Sequence, residues 1–175
     1  YTFFDTNKNK VIDWNDFEIL FDKIKELRGE DSHEYRIVSD AMRMVWKGLL
    51  QETKGIDMTQ EIDKEIEITV DEWNALWQKF NPKHMHIWQW EYLKYMFFLI
   101  DTSGDKYIDI DEYCDVMSIY GVKKDDSAKA FKKFGVADKG QAIEKINYGQ
   151  FVRLWYEYFG STDKSKPGSY LFGNW

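Results

Sequence analysis

The sequence predicts an all-α fold of four helix–loop–helix units in two packed lobes, with short β pairings between loops. Three observations carry that reading. Apolar residues recur at helical spacing along much of the chain, as in Phe17, Leu20, Phe21 and Ile24, or Tyr113, Val116, Met117 and Tyr120. Two stretches rich in oxygen-bearing side chains, residues 5–16 and 101–112, interrupt those patterns. Asn81-Pro82-Lys83 is the clearest break, because a residue before proline is pushed away from helix. The expected organisation is a pair of units over 1–80, a linker at 81–84, a second pair over 85–160 and a tail over 161–175 packing back on the core.

Bulk composition narrows the function. At 175 residues the chain is one to two small domains, and 43% apolar with 18% aromatic residues supplies a substantial core. Its 24 basic and 31 acidic residues leave a net charge of −7, which argues against nucleic acid and against attachment to anionic lipid. The apolar run Tyr95 to Ile100 is far too short for a transmembrane segment. A single cysteine, Cys114, excludes an internal disulfide and suits a reducing, cytoplasmic setting. No secretory signal opens the chain.

Residues 1–4 read as the last turn of a helix whose beginning is absent. Residues 5–16 follow as D-T-N-K-N-K-V-I-D-W-N-D. Asp5, Asn7, Asn9, Asp13 and Asp16 stand at positions 1, 3, 5, 9 and 12, and Val11 at position 7 offers its carbonyl. This is the spacing of an EF-hand calcium loop, in which alternate side chains of a winding segment converge on one hard cation. Lys10 replaces the usual glycine at position 6, where a left-handed backbone costs a lysine about 1 kcal/mol. Asp16 is one methylene shorter than glutamate, so two-oxygen coordination is harder and magnesium becomes a competitor. Phe17 begins the exiting helix, Arg28 to Ser32 ends it, and a long helix is predicted from His33 to about Thr53.

The second loop is ambiguous. Counting back from the next helix gives Glu61, Asp63, Glu65, Thr69 and Glu72 as oxygen donors. Counting forward from the apolar stripe of the long helix starts the loop near Lys54 instead. The disagreement predicts an insertion within 54–63. Counting back also puts Ile66 at the left-handed position, an outlier for a β-branched residue. Whether this loop holds an ion is left open. A helix is expected over 70–80. His84 and His86, lacking a third ligand nearby, read as solvated surface.

A helix over 86–100 enters the strongest motif, residues 101–112, D-T-S-G-D-K-Y-I-D-I-D-E. Asp101, Ser103, Asp105, Asp109 and Glu112 supply side-chain oxygens, Tyr107 its carbonyl, and Glu112 reaches far enough to give both carboxylate oxygens. Lys106 again replaces glycine. The helix over 112–121 leaves this loop, and a short one over 125–134 follows, with Asp125 as its cap. The fourth loop, 139–150, has Lys139, Gln141, Ile143 and Gln150 where ligands belong and is a structural partner only. Pairing explains its retention: Tyr107-Ile108-Asp109 can lie against Lys145-Ile146-Asn147, and Val11-Ile12-Asp13 against Glu67-Ile68-Thr69. An unpaired loop would leave backbone groups and apolar helix faces in water. Tyr170, Leu171, Phe172 and Trp175 in the tail are expected to fold back for the same reason.

The chain resembles the calexcitin branch of the invertebrate sarcoplasmic calcium-binding protein family, within the EF-hand superfamily. The likeness rests on V-I-D-W-N-D-F (Val11 to Phe17), D-T-S-G-D (Asp101 to Asp105), R-L-W-Y-E-Y-F (Arg153 to Phe159) and L-F-G (Leu171 to Gly173). It implies a compact all-α pair of EF-hand lobes and cytosolic calcium buffering or signalling, with a protein target if the molecule is a sensor. The family generally uses its first three hands, and this sequence departs at the second. The expected molecule is a monomer without catalysis, since no phosphate loop, nucleophile elbow or zinc motif is present. The alternative is a four-hand carrier of an organic ligand, as in photoproteins and luciferin-binding proteins, because eight tryptophans and eleven tyrosines could line a cavity.

Overall fold

The computed structural model describes residues 1, 4–79, 81, 84–137 and 140–173. In chain order the elements are β1 (Val11–Ile12), α1 (Trp14–Arg28), α2 (His33–Lys54), β2 (Ile68–Thr69), α3 (Val70–Gln78), α4 (Ile87–Ile100), β3 (Tyr107–Asp109), α5 (Ile110–Ile119), α6 (Lys124–Phe134), β4 (Lys145–Asn147) and α7 (Tyr148–Gly160). A 3₁₀ turn, Pro167–Tyr170, follows. Both sheets are two-stranded and antiparallel, in the registers that the loop spacing predicts: Ile12 faces Ile68, and Ile108 faces Ile146. No helix among the described residues is long and apolar enough to cross a membrane.

The chain forms two compact units, residues 1–95 and 96–175. In the first, α1 starts at Asp13, whose side chain accepts the Asp16 N–H while Asp16 bonds back to the Asp13 N–H. It stops at Gly29, whose φ of 87° suits glycine. Ser32 caps α2 and Gly55, left-handed, closes it. The inward faces bury Phe17, Ile24, Val38, Val45, Trp46 and Leu49, each about 1.5–3 kcal/mol of apolar transfer. Gly48 lets α2 approach Trp88: a Cβ there would stand 2.4 Å from the Trp88 side chain. Phe4 packs on Trp73 and Tyr92.

The second unit is built on Phe134, which packs edge to face on Tyr113 and Phe131, and on Phe97, Phe151 and Trp155. Its tail closes over α7. Leu171 and Phe172 are buried, Phe172 meets Trp155 and Tyr158, and the Tyr113 hydroxyl donates to the Leu171 carbonyl at 2.7 Å. Gly168 fits between the Leu154 carbonyl and Glu157, whose carboxylate accepts the Gly168 N–H.

Three details differ from the sequence reading. The units meet inside α4, between Tyr95 and Met96, not at the 81–84 break. The reason is aromatic: Trp88 packs on Trp77 and Tyr92 on Phe4, which assigns the start of α4 to the first unit. The residue capping α6 is Lys123, which makes no side-chain cap bond, and Asp125 lies within the first turn, where its charge faces the positive end of the helix. Finally, α3 ends at Gln78. Phe80, Pro82, Lys83, Lys139 and Trp175, all used in the sequence reading, lie outside the described residues.

Candidate functional site

The 5–16 loop is closed by its own carboxylates. Asp5 Oδ1 accepts the Asn9 N–H at 3.0 Å and Oδ2 the Lys10 N–H at 3.1 Å. Asp16 Oδ1 accepts the Asn7 N–H at 3.1 Å and Oδ2 the Asp13 N–H at 3.0 Å. Asn7 and Asn9 each accept an N–H two residues on, which winds the chain. Lys8 and Lys10 take φ of 61° and 71°, so the left-handed backbone expected at Lys10 is present. Asp5 and Asp16 are buried. Burial raises the Asp16 pKa above the usual carboxylate range, and the Asp13 and Asp5 charges add to the rise.

The 101–112 loop repeats that construction. Asp101 Oδ2 accepts the Lys106 N–H at 3.0 Å, and Lys106 has a φ of 68°. Glu112 Oε1 accepts the Ser103 N–H at 2.9 Å and Oε2 the Asp109 N–H at 3.0 Å. Asp105 Oδ1 accepts the Tyr107 N–H at 2.9 Å, and Asp109 caps α5. Asp101 Oδ1 stands apart: it is buried with no hydrogen-bond partner. Burial raises the Asp101 pKa, and the Glu112 and Asp105 charges push the same way.

These loops fit a hard divalent cation. A buried carboxylate oxygen without a partner is costly, and an ion is the partner its place at the head of the loop provides for. The remaining donors are short-stemmed oxygens: Asn7, Asn9, Asp13, Ser103, Asp105 and Asp109, with the carbonyls of Val11 and Tyr107. Among the described residues no three His, Cys, Asp or Glu side chains are already drawn together as a cage.

The second loop is built otherwise. Thirteen residues separate Lys54 from Ile68, where six separate Ile100 from Tyr107, so the insertion follows the end of α2. Asp57 folds part of it into a turn, accepting the Thr59 N–H at 2.8 Å, and Asp63 accepts the Glu65 N–H at 3.0 Å. Glu61 and Glu65 are exposed. Ile66 is not among the described non-glycine residues with positive φ, so the strain expected there does not arise. Glu72 bonds to Lys54 Nζ at 2.5 Å, and that contact, more than the Thr69 N–H, holds its pKa down. In the fourth loop, the Ala137 N–H donates to the Gln141 carbonyl and the Ile143 N–H to the Gly135 carbonyl.

Sequence reasoning missed two lysines. Lys145 Nζ lies 2.6 Å from Asp105 Oδ2 and lowers the Asp105 pKa. The β3–β4 register, which sets Lys145 opposite Asp109, was the available signal. Lys54, the last residue of α2, had no such signal. His86 lies 3.0 Å from Glu52, and His84 is exposed.

No family model matches the chain. Calexcitin-1 of Caenorhabditis elegans is 33% identical over 171 residues, covering 98% of this chain and 80% of the relative. The sarcoplasmic calcium-binding proteins I, III and IV of Branchiostoma lanceolatum are 27% identical over 147 residues, covering 74% and 76%. The solved structure of an amphioxus sarcoplasmic calcium-binding protein superposes with a TM-score of 0.72 at 20% identity, covering 99% of this chain and 91% of that one. The fold is therefore that of the EF-hand sarcoplasmic proteins, and the likeness to calexcitin-1 runs almost end to end: the chain belongs to the calexcitin family.

Proposed function

We propose that this protein binds calcium at residues 5–16 and 101–112 and acts as a calcium buffer or calcium-signalling sensor. The observation that carries the reading is Asp101 Oδ1, buried and without a partner at the head of a loop with the EF-hand donor order. Asp5, Asn7, Asn9, Val11, Asp13 and Asp16 would hold one ion, and Asp101, Ser103, Asp105, Tyr107, Asp109 and Glu112 the other. The short Asp16 makes the first loop the one where magnesium competes. The name of the Branchiostoma relatives, calcium-binding proteins, supports calcium as the ion.

Between buffer and sensor, packing favours the buffer. A sensor opens a methionine-lined groove. Here Met42, Met96 and Met117 are buried, and Leu171 and Phe172 cover the end of α7. The aromatic residues that a carrier of an organic ligand would need are engaged with one another, as at Trp14, Phe17 and Trp46. A cytoplasmic monomer suits the single, buried Cys114.

Titration calorimetry with calcium, with and without magnesium, tests this. Two ions per chain are expected, Asp5→Asn and Asp101→Asn each abolishing one, and magnesium weakening only the site at 5–16. No heat of binding in millimolar calcium would overturn the proposal.

A further inference from the structure

In three hands the residue three places after the helix N-cap does the same two jobs. One carboxylate oxygen accepts the N-cap N–H: Asp16 Oδ2 from Asp13, Glu112 Oε2 from Asp109, and Glu72 Oε2 from Thr69 at 2.9 Å. The other oxygen reaches back toward the entering side of the loop. In the first and third hands it finds a backbone N–H, of Asn7 and of Ser103. In the second it finds Lys54 Nζ at 2.5 Å.

The substitution has a structural cause. The thirteen residues between Lys54 and Ile68 fold into their own turns at Asp57 and Asp63, and Glu72 takes its bonds from Lys54 and Thr69 instead of from that segment. The side chain ending α2 takes over. Thr69 Oγ1 also donates to Glu72 Oε2 at 3.0 Å, so both carboxylate oxygens are engaged and one faces a positive charge. An incoming divalent ion would have to displace that ammonium and would find, past the Gly55 helix cap, no left-handed residue like Lys10 and Lys106 before β2.

We infer that Lys54 is an internal cation standing in for calcium in the second hand: it ties Glu72 at the head of α3 to the end of α2, and so holds β2 in register against β1 whether or not calcium is present. Lys54 is thus a positioning residue for the 5–16 loop, acting through the Val11–Thr69 and Ile12–Ile68 pairs. The inference rests on the proposed calcium site at 5–16 for its effect on affinity, but not for its effect on the strands.

The test uses the full chain with Lys54→Met, which keeps the apolar stem and removes the charge, and Lys54→Arg, which keeps it. In chelator, amide hydrogen exchange at Ile12 and Ile68 should accelerate in Lys54→Met and stay near wild type in Lys54→Arg. In calcium titrations the 5–16 site should weaken about fivefold or more, the lower range of inter-site coupling, while the 101–112 site serves as the unaffected reference. Should Lys54→Met unfold, Glu72→Gln, which keeps the N-cap bond and removes the charge Lys54 meets, reads the same two quantities. Unchanged exchange in these variants would overturn the inference, as would a third calcium bound by wild type. Absence of calcium from the 5–16 site of wild type would instead sink the proposed function, with the exchange comparison still deciding the role of Lys54.

Discussion

Replacing Lys106 by glycine should raise the stability of the protein without changing its calcium affinity. Lys106 holds a φ of 68°, and its N–H is fixed on Asp101 Oδ2 at 3.0 Å, a bond internal to the loop, so the strain is assigned to the fold and not to binding. A non-glycine residue in that region costs roughly 1–2 kcal/mol, and glycine gives back about 0.5–1 kcal/mol of that through its greater freedom when unfolded. The net gain is about 1 kcal/mol, or ~2–4 °C in melting temperature for a chain of this size. The mirror experiment is available in the same loop. Gly104 has a φ of 71°, and a Cβ there would meet nothing within 4 Å, so Gly104→Ala should lose about the same amount through backbone strain alone. Lys8 and Lys10 both have positive φ, so replacing both by glycine should gain about twice as much, ~2 kcal/mol. Thermal unfolding of each variant in chelator and in calcium is the assay. A shift seen only in calcium, or a tenfold gain in affinity for Lys106→Gly, would refute the reasoning, because the strain would then arise on binding.

Three further outcomes follow from the same structure. Asp101 and Asp16 have pKa values raised by burial, so what they contribute to calcium-free stability is full below the unfolded pKa and lost as pH rises through the folded one. In chelator, Asp101→Asn should therefore melt above wild type at pH 7, with the gap closing on acidification through the carboxylate range; a gap independent of pH would contradict this. Gly48→Ala should destabilise by about 1–2 kcal/mol in urea, since overpacking against Trp88 outweighs the better helix propensity of alanine; a stabilised variant would show that the approach is looser than described. Lys145→Met should tighten calcium at 101–112 a few-fold at low salt and less at high salt, because the ammonium on Asp105 competes with the ion; equal affinities at low salt would remove Lys145 from the site.

What could be read from the chain was whatever a short segment determines by itself. The 5–16 and 101–112 loops carry their own turns, caps and left-handed positions, and the apolar residue at position 8 of each loop fixes the strand register. Ile12 and Ile108 could be matched to Ile68 and Ile146 without knowing anything else. The insertion in the second loop was legible too, as two helical phases that could not be reconciled. The unread features depend on distant partners. Trp88 and Tyr92 belong to the first unit because Trp77 and Phe4 meet them, which no local pattern records. Lys54 is an ordinary last-turn lysine until Glu72, eighteen residues on, is brought beside it. Asp125 looked like a cap because its type is right, but the backbone is already helical from Lys124, one residue earlier.

The pairing of loops across each sheet bears on the shape of the calcium response. On the reading proposed above, β1 joins an ion-binding loop to one held by an ammonium, and β3 joins another to a loop with no carboxylate at positions 1, 3, 5 and 12. Neither unit then has a second ion to recruit through its own strands. Each site should fill with a Hill slope of one, giving a graded titration across a wide concentration range where a doubly occupied pair would give a threshold.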